Sequence, residues 1–141
     1  PPHPRLTGTG ADVNNNSLVL RLHYPGASWL FTGDVEADGQ EAIWRGGYDV
    51  QADGMQVPHH GAEGSLWRPF WRAVAPSVAV IPVGRNNFGQ PAQRVLDALE
   101  AMGATVYRTD RHGTVKAWTR GNGWRIRPSL PSCPDREAGF C

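Results

Sequence analysis

Apolar and polar positions alternate from residue 18 to 24. Leu18, Leu20 and Leu22 fall on one side and Val19, Arg21 and His23 on the other, the period-two mark of a half-buried strand. Pro25-Gly26 turns the chain into a more apolar run, 28–32, read as the hairpin partner of the first strand. Further strands are expected at 55–58, at 78–83 and at 104–108. The continuous run 78–83 reads as buried, with Pro82 at a bulge or near its end. A last pair, 114–119 and 124–127, flanks the hairpin turn Arg120-Gly121-Asn122-Gly123. Between strands the period lengthens. Residues 39–44 predict a short helix closed by Gly46-Gly47. Residues 65–74 predict another, with Ser65 as N-cap and Pro69 in its first turn. The clearest helix is 91–102, with Pro91 at its first position, Gly103 past its end, and Val95, Leu96, Leu99 and Met102 on one face. Asn14-Asn15-Asn16-Ser17 reads as a turn and 84–90 as a loop. The order β-β-α-β-α-β-α-β-β-β predicts an α/β protein with a mixed β-sheet. Residues 1–12 are expected to be loop or linker, 13–128 the folded domain, and 129–141 a flexible tail.

Composition narrows this picture only a little. A chain of 141 residues is one domain by size, long enough to bury a real core. The formal charge of +1 provides no global field for nucleic acid, so any such contact must come from local clusters. One cluster exists: Arg108, Arg111, Lys116, Arg120, Arg125 and Arg127 face a single acid, Asp110, across 108–127. It is either a solvated strand face or a phosphate-facing ribbon. No apolar run approaches the roughly 18 residues of a membrane span, and no signal peptide is evident. The opening Pro-Pro-His-Pro and the lack of an initiator Met suggest a piece of something longer. Cys133 and Cys141 lie in the tail without metal-binding spacing and are read as free thiols or a local disulfide.

The chemistry collects at strand tips. The run 29–32 ends in Gly33-Asp34, and 55–58 ends in His59-His60-Gly61. Glycine lets the backbone turn tightly enough for a short carboxylate to reach across a sheet edge. Adjacent imidazoles diverge in a loop, leaving one to ligate and the other to bond or touch substrate. A carboxylate with an imidazole is a mixed oxygen and nitrogen donor set, suited to zinc or manganese. Each feature also has a plain reading, Asp34 as a turn residue and the histidines as structural. A catalytic zinc needs at least three protein ligands, and His3, His23 and His112 offer no His-x-His spacing. In 84–90, Arg85, Asn86 and Asn87 precede a helix start, a natural phosphate site or an ordinary loop. Asp110-Arg111-His112-Gly113 is read as a simple turn, with a phosphate-edge role as the minority view.

Five pieces in register resemble one family: Asn15-Asn16-Ser17-Leu-Val-Leu, Phe-Thr-Gly-Asp34, His59-His60-Gly61, Gly84-x-x-Asn87-Phe-Gly-x-Pro91 and Val106-Tyr-Arg-Thr-Asp110-x-x-Gly113. Together they resemble the C-terminal part of the metallo-β-lactamase-like domain of ComEC-type DNA-internalisation (competence) proteins. The resemblance runs over about residues 13–119. It implies the C-terminal portion of an αββα sandwich with a di-metal site at the sheet edge, two zinc or manganese ions in the complete domain. Asp34 and His60 would be metal ligands. His59 would be the catalytic or substrate-contacting imidazole, and Arg85, Asn87 and Gln90 would meet the substrate. The chain departs from the family in carrying Gln90 where the loop has His before Pro, and in lacking the His-x-His-x-Asp-His of the family's N-terminal half.

The activity so implied is hydrolysis of phosphodiesters in the non-transported DNA strand. It would be performed outside the cytoplasmic membrane by a soluble domain of a membrane protein. The implied partners are single-stranded DNA, the remainder of the domain and a membrane channel. The isolated segment is expected to be inactive. Two other readings stand beside it: a catalytically degenerate DNA-binding or structural module of the same transporter, and another phosphodiesterase of the superfamily.

Overall fold

A computed structural model of the chain describes residues 4–130. The two cysteines, any disulfide between them, and most of the expected tail lie outside the described residues. The elements run α1 (Asp12–Asn15), β1 (Leu20–Tyr24), β2 (Ala27–Phe31), α2 (Ala37–Arg45), β3 (Gly54–Gln56), α3 (Arg68–Val74), β4 (Val78–Ile81), α4 (Gln93–Ala101), β5 (Thr105–Arg108), α5 (Thr109–His112), β6 (Val115–Thr119) and β7 (Trp124–Pro128). Two 3-10 turns, Pro58–Gly61 and Glu63–Ser65, lie between β3 and α3.

The α/β class and the mixed sheet are as the patterning predicts. The sheet is five-stranded, in sequence order. β1 and β2 form the expected antiparallel hairpin, while β2, β3, β4 and β5 are mutually parallel. Parallel strands need crossovers, and the helices supply them on one face. Leu30, Met55 and Ala79 stand in register on that face, and Ile81 lies two residues further along β4. They are buried with Phe70, Trp71 and Val74 of α3 and Val95 and Leu99 of α4. A fully buried side chain of this size contributes about 1.5–3 kcal/mol. β6 and β7 form a separate two-stranded ribbon. Its tip is tied to the β1–β2 turn by Gly123 N–H to the Gly26 carbonyl (3.0 Å) and by Trp124 Nε1 to the Ser28 carbonyl (2.8 Å). A side chain at Gly26 would put its Cβ 2.0 Å from the Gly121 oxygen, so glycine alone fits there.

Four expectations are corrected. β1 is not half-buried: all its residues are exposed. It is an edge strand, and its apolar side (Leu20, Leu22) continues onto an exposed Phe31, while on the same side of β2 Trp29 is covered by Trp124 of the ribbon. The Asn-rich stretch is a short helix rather than a bare turn. Ser65 does not cap α3, which starts at Arg68; its hydroxyl donates instead to the Pro58 (3.0 Å) and Ala62 (2.7 Å) carbonyls. Pro91 stands outside α4, because Ala92 N–H is bonded to the Gly61 carbonyl (2.9 Å) and the helix begins only after it. Pro69 does lie in the first turn of α3, and Pro82 just beyond β4.

Candidate metal site at the carboxyl edge of the sheet

Because β2, β3 and β4 are parallel, their carboxyl ends meet at one edge. The Asp34 and His59-His60 loops leave the sheet there side by side. The loops are joined directly: His59 N–H donates to the Gly33 carbonyl (3.1 Å), and the Thr32 hydroxyl to the Gln56 carbonyl (2.8 Å). Gly33 takes φ +56°, which lets the chain reverse at once into Asp34.

The strained backbone is at the histidines. His59 (φ 46°), His60 (φ 55°) and Gly61 (φ 78°) are left-handed in succession. For a residue with a side chain this costs on the order of 1–2 kcal/mol. The surroundings hold the conformation. The Ser65 hydroxyl ties the turn from below, Ala62 N–H closes on the His59 carbonyl (2.9 Å), and Pro91 fills the space a Gly61 side chain would take, 2.7 Å from its Cβ position.

The two imidazoles diverge, with ring centroids 6.1 Å apart and planes at 65°. His60 Nδ1 lies 2.6 Å from the Pro82 carbonyl and donates to it. That bond fixes the tautomer and leaves the Nε2 lone pair free, 3.9 Å from Asp34 Oδ1. A single ion bonded to each at about 2.0–2.2 Å spans that separation. Both side chains are about half exposed, so the pair is open on its outer side. His59 turns the other way. Its buried Nδ1 lies 3.1 Å from Glu36 Oε1, off the line of a hydrogen bond, and Glu36 Oε1 accepts instead from Asn14 Nδ2 (2.8 Å). Among the described residues no three His, Cys, Asp or Glu side chains converge, so the chain by itself provides Asp34 and His60 as a two-donor set.

The supporting residues largely escape a sequence reading. Gln40 is fully buried; its Nε2 donates to the carbonyls of Val35 (3.0 Å) and Ser65 (2.7 Å), and its Oε1 accepts from Trp71 Nε1 (3.1 Å). It thereby links the loop after Asp34 to the loop after His60. Asn15 Oδ1 accepts from Glu36 N–H (3.1 Å) and Gly39 N–H (2.9 Å), capping α2 from outside the helix, and Ser17 Oγ accepts from Asp34 N–H (3.2 Å). The Asn-rich stretch was itself visible; its partners, twenty residues away, were not.

Arg85 and Asn87 are exposed on the 84–90 loop, and Gln90 is half-buried. The loop is built by Asn86, whose amide donates to the Gly84 (2.9 Å) and Gln90 (2.8 Å) carbonyls and accepts from Phe88 and Gln90 N–H. Asn86 is thus committed to the loop, whereas Arg85 and Asn87 make no hydrogen bond among the described residues. The 110–113 stretch is not a simple turn: its first three residues belong to α5, where Thr109 Oγ1 accepts from Val83 N–H (2.7 Å) and His112 meets Tyr107 edge-on at 5.6 Å.

The chain resembles known proteins over most of its length. It is 38% identical over 107 residues to ComE operon protein 3 of Bacillus subtilis, covering 75% of the chain and 14% of that protein. It is 33% identical over 107 residues to competence protein ComA of Neisseria gonorrhoeae, covering 74% of the chain and 16% of that protein. The chain is homologous to a segment of competence proteins. It is also 32% identical over 126 residues to the uncharacterized protein YcaI of Escherichia coli. The chain spans only 14–17% of the length of these relatives. No family model matches it.

Proposed function

We propose that this chain is the C-terminal wall of a metal-dependent nuclease domain in a DNA-uptake membrane protein. In this reading the domain is a metallo-β-lactamase-like αββα sandwich and acts on the extracytoplasmic side. It hydrolyses phosphodiesters of the DNA strand that is not transported. The competence-protein homology supports the DNA-uptake setting. The open, apolar side of the sheet at Leu20, Leu22 and Phe31 supports a second sheet layer supplied by the rest of the domain.

The observation that carries the reading is the Asp34–His60 pair: an imidazole oriented through Pro82 toward a carboxylate 3.9 Å away, on a turn held in a strained conformation. Asp34 and His60 would hold zinc or manganese. When bound, the metal supplies a water of lowered pKa and a positive charge for the phosphoryl oxygens. The chain's own residues do the rest. Pro82 and Ser65 keep His60 aimed, Gly33 and Ser17 keep Asp34 at the edge, and His59, braced beside Glu36, lines the approach. Arg85, Asn87 and Gln90 stand on the neighbouring loop to meet the phosphate backbone.

The test is metal content and single-strand cleavage by the complete domain with Asp34→Ala and His60→Ala. Each substitution is expected to lower bound metal and to cut cleavage by at least a hundredfold. Wild-type cleavage in Asp34→Ala would overturn the reading. A second reading, a catalytically degenerate DNA-binding module, draws on Gln90, since an amide is a poor ligand and a poor acid or base. Stoichiometric zinc or manganese in the purified complete domain would exclude it.

A further inference from the structure

The β6–β7 ribbon has two unlike faces. Register places Lys116 opposite Arg127 and Trp118 opposite Arg125, all on one side. All four are exposed, Trp118 by 41%. The reverse side carries Val115, Ile126 and Trp124, which are partly buried, and Trp124 meets Trp29 edge-on at 5.1 Å. The hydrophobic side is thus committed to the body of the protein, and the cationic side is turned out. Among the described residues none of Lys116, Arg125 or Arg127 joins an ion pair, although Arg21, Arg45, Arg94 and Arg108 all do. A solvated face has no need of a tryptophan at its centre. A second protein layer would have to bury three charges that no acid among the described residues meets.

We propose that this face is a binding strip for single-stranded nucleic acid. Arg125 and Arg127, two apart on β7, take successive phosphates, Lys116 opposite Arg127 takes a neighbouring one, and the Trp118 indole stacks on an unpaired base. Positions two apart on a strand are about 7 Å from each other, close to one nucleotide step of an extended chain. Cations around an exposed aromatic ring are how sequence-tolerant single-strand binding is built. A hollow of about 400 Å³ at the strip's root, between Thr114, Lys116, Arg127 and Ser129, has room for a sugar-phosphate. The ribbon's ends give the strip a direction. Its root is bonded to α5 at the carboxyl edge of the sheet, Leu130 N–H to the His112 carbonyl (3.0 Å). Its tip reaches the β1–β2 turn at the opposite edge, through Gly123 and Gly26. A strand lying along it is therefore led toward the edge that carries Asp34 and His60.

The strip rests on the proposed function only for the choice of DNA as ligand, and binding is measured apart from cleavage. The experiment is fluorescence anisotropy of a labelled oligo-dT with the full chain, in chelator, over a salt series. Lys116→Gln/Arg125→Gln/Arg127→Gln is expected to weaken binding at least tenfold. It should also flatten the slope of log affinity against log salt by about 2, from roughly 0.7 per lost phosphate contact. Trp118→Ala should weaken binding at least fivefold with the slope unchanged, and Trp118→Phe should restore most of it. Because binding is read in chelator, a failed metal site leaves the strip standing. Wild-type affinity and slope in the triple variant, with native circular dichroism, overturn the proposal. Tighter binding to duplex, indifferent to Trp118→Ala, overturns the single-strand assignment.

Discussion

Gln40 shows at the residue scale how much of this site rests on side chains far from the chemistry. Replacing it with Leu strands the Val35 carbonyl in the interior, while the Trp71 indole N–H and the Ser65 carbonyl keep only the bond they make to each other (3.0 Å). An unsatisfied buried group costs about 1–3 kcal/mol, so Gln40→Leu is expected to lose about 1–3 kcal/mol in urea unfolding. Asn15→Ala removes the cap of α2, an expected loss of about 1–2 kcal/mol by the same measurement. Gly61→Ala faces both a left-handed φ and the Pro91 side chain, and should unfold at lower urea than wild type. Asp110 sets an acid-side signature. Burial pushes its carboxyl up, but the hydrogen bond and charge of Arg108 and the charge of Arg111 outweigh that and hold it below the usual carboxylate range. A depressed carboxylate stabilises the fold above the unfolded value, about 3.9, and loses that contribution as pH falls through the folded one. Asp110→Asn should therefore be less stable than wild type at pH 6, with the difference shrinking below pH 4 in acid titrations. Of these four positions Gln40 carried no signal in the sequence, while Asn15, Gly61 and Asp110 fell within the family-like motifs without their partners being legible. Their importance lies in partners brought by the fold.

At the scale of elements, pattern served well where burial is one-sided and poorly where it is not. Strands 78–83 and 104–108 and the helix around Val95 and Leu99 were legible because each has one side in the core. Their ends shifted through contacts beyond the element: Pro91 was drawn off α4 by Gly61, and Ser65 was drawn from capping to bracing the histidine turn. The alternation of β1 correctly marked a strand, yet its apolar side is uncovered. Alternation reports which side is apolar and leaves open what covers it. The β6–β7 ribbon is the converse case. Six cations in a row of sequence were ambiguous between a wet face and a binding face. Register places Lys116, Trp118, Arg125 and Arg127 on one side.

For the whole molecule, the open sheet side has a measurable consequence. Leu20, Leu22 and Phe31 are 53%, 48% and 42% exposed on adjacent strands, a contiguous apolar area that water does not favour. The isolated chain is expected to bind a hydrophobic dye and to self-associate in analytical ultracentrifugation. Leu22→Lys/Phe31→Lys should suppress both without loss of helix content. A monodisperse wild-type chain that ignores the dye would mean the face is covered by other means. Among the described residues no helix is long and apolar enough to cross a membrane.

The sequence by itself determined the class of fold, the hairpin, the order of strands and helices, and the residue types at the two tips. Local period and turn chemistry follow from neighbours along the chain. Only the tertiary structure decided that His60 looks toward Asp34 while His59 looks toward Glu36. It alone showed that Gln40, Asn15 and Ser65 hold both loops, and that one face of the late ribbon is wholly cationic and aromatic. The reason is physical. Two adjacent histidines are alike in sequence, and which one meets the carboxylate depends on a left-handed backbone fixed by Gly33, Pro82 and Pro91, none of which is a neighbour along the chain.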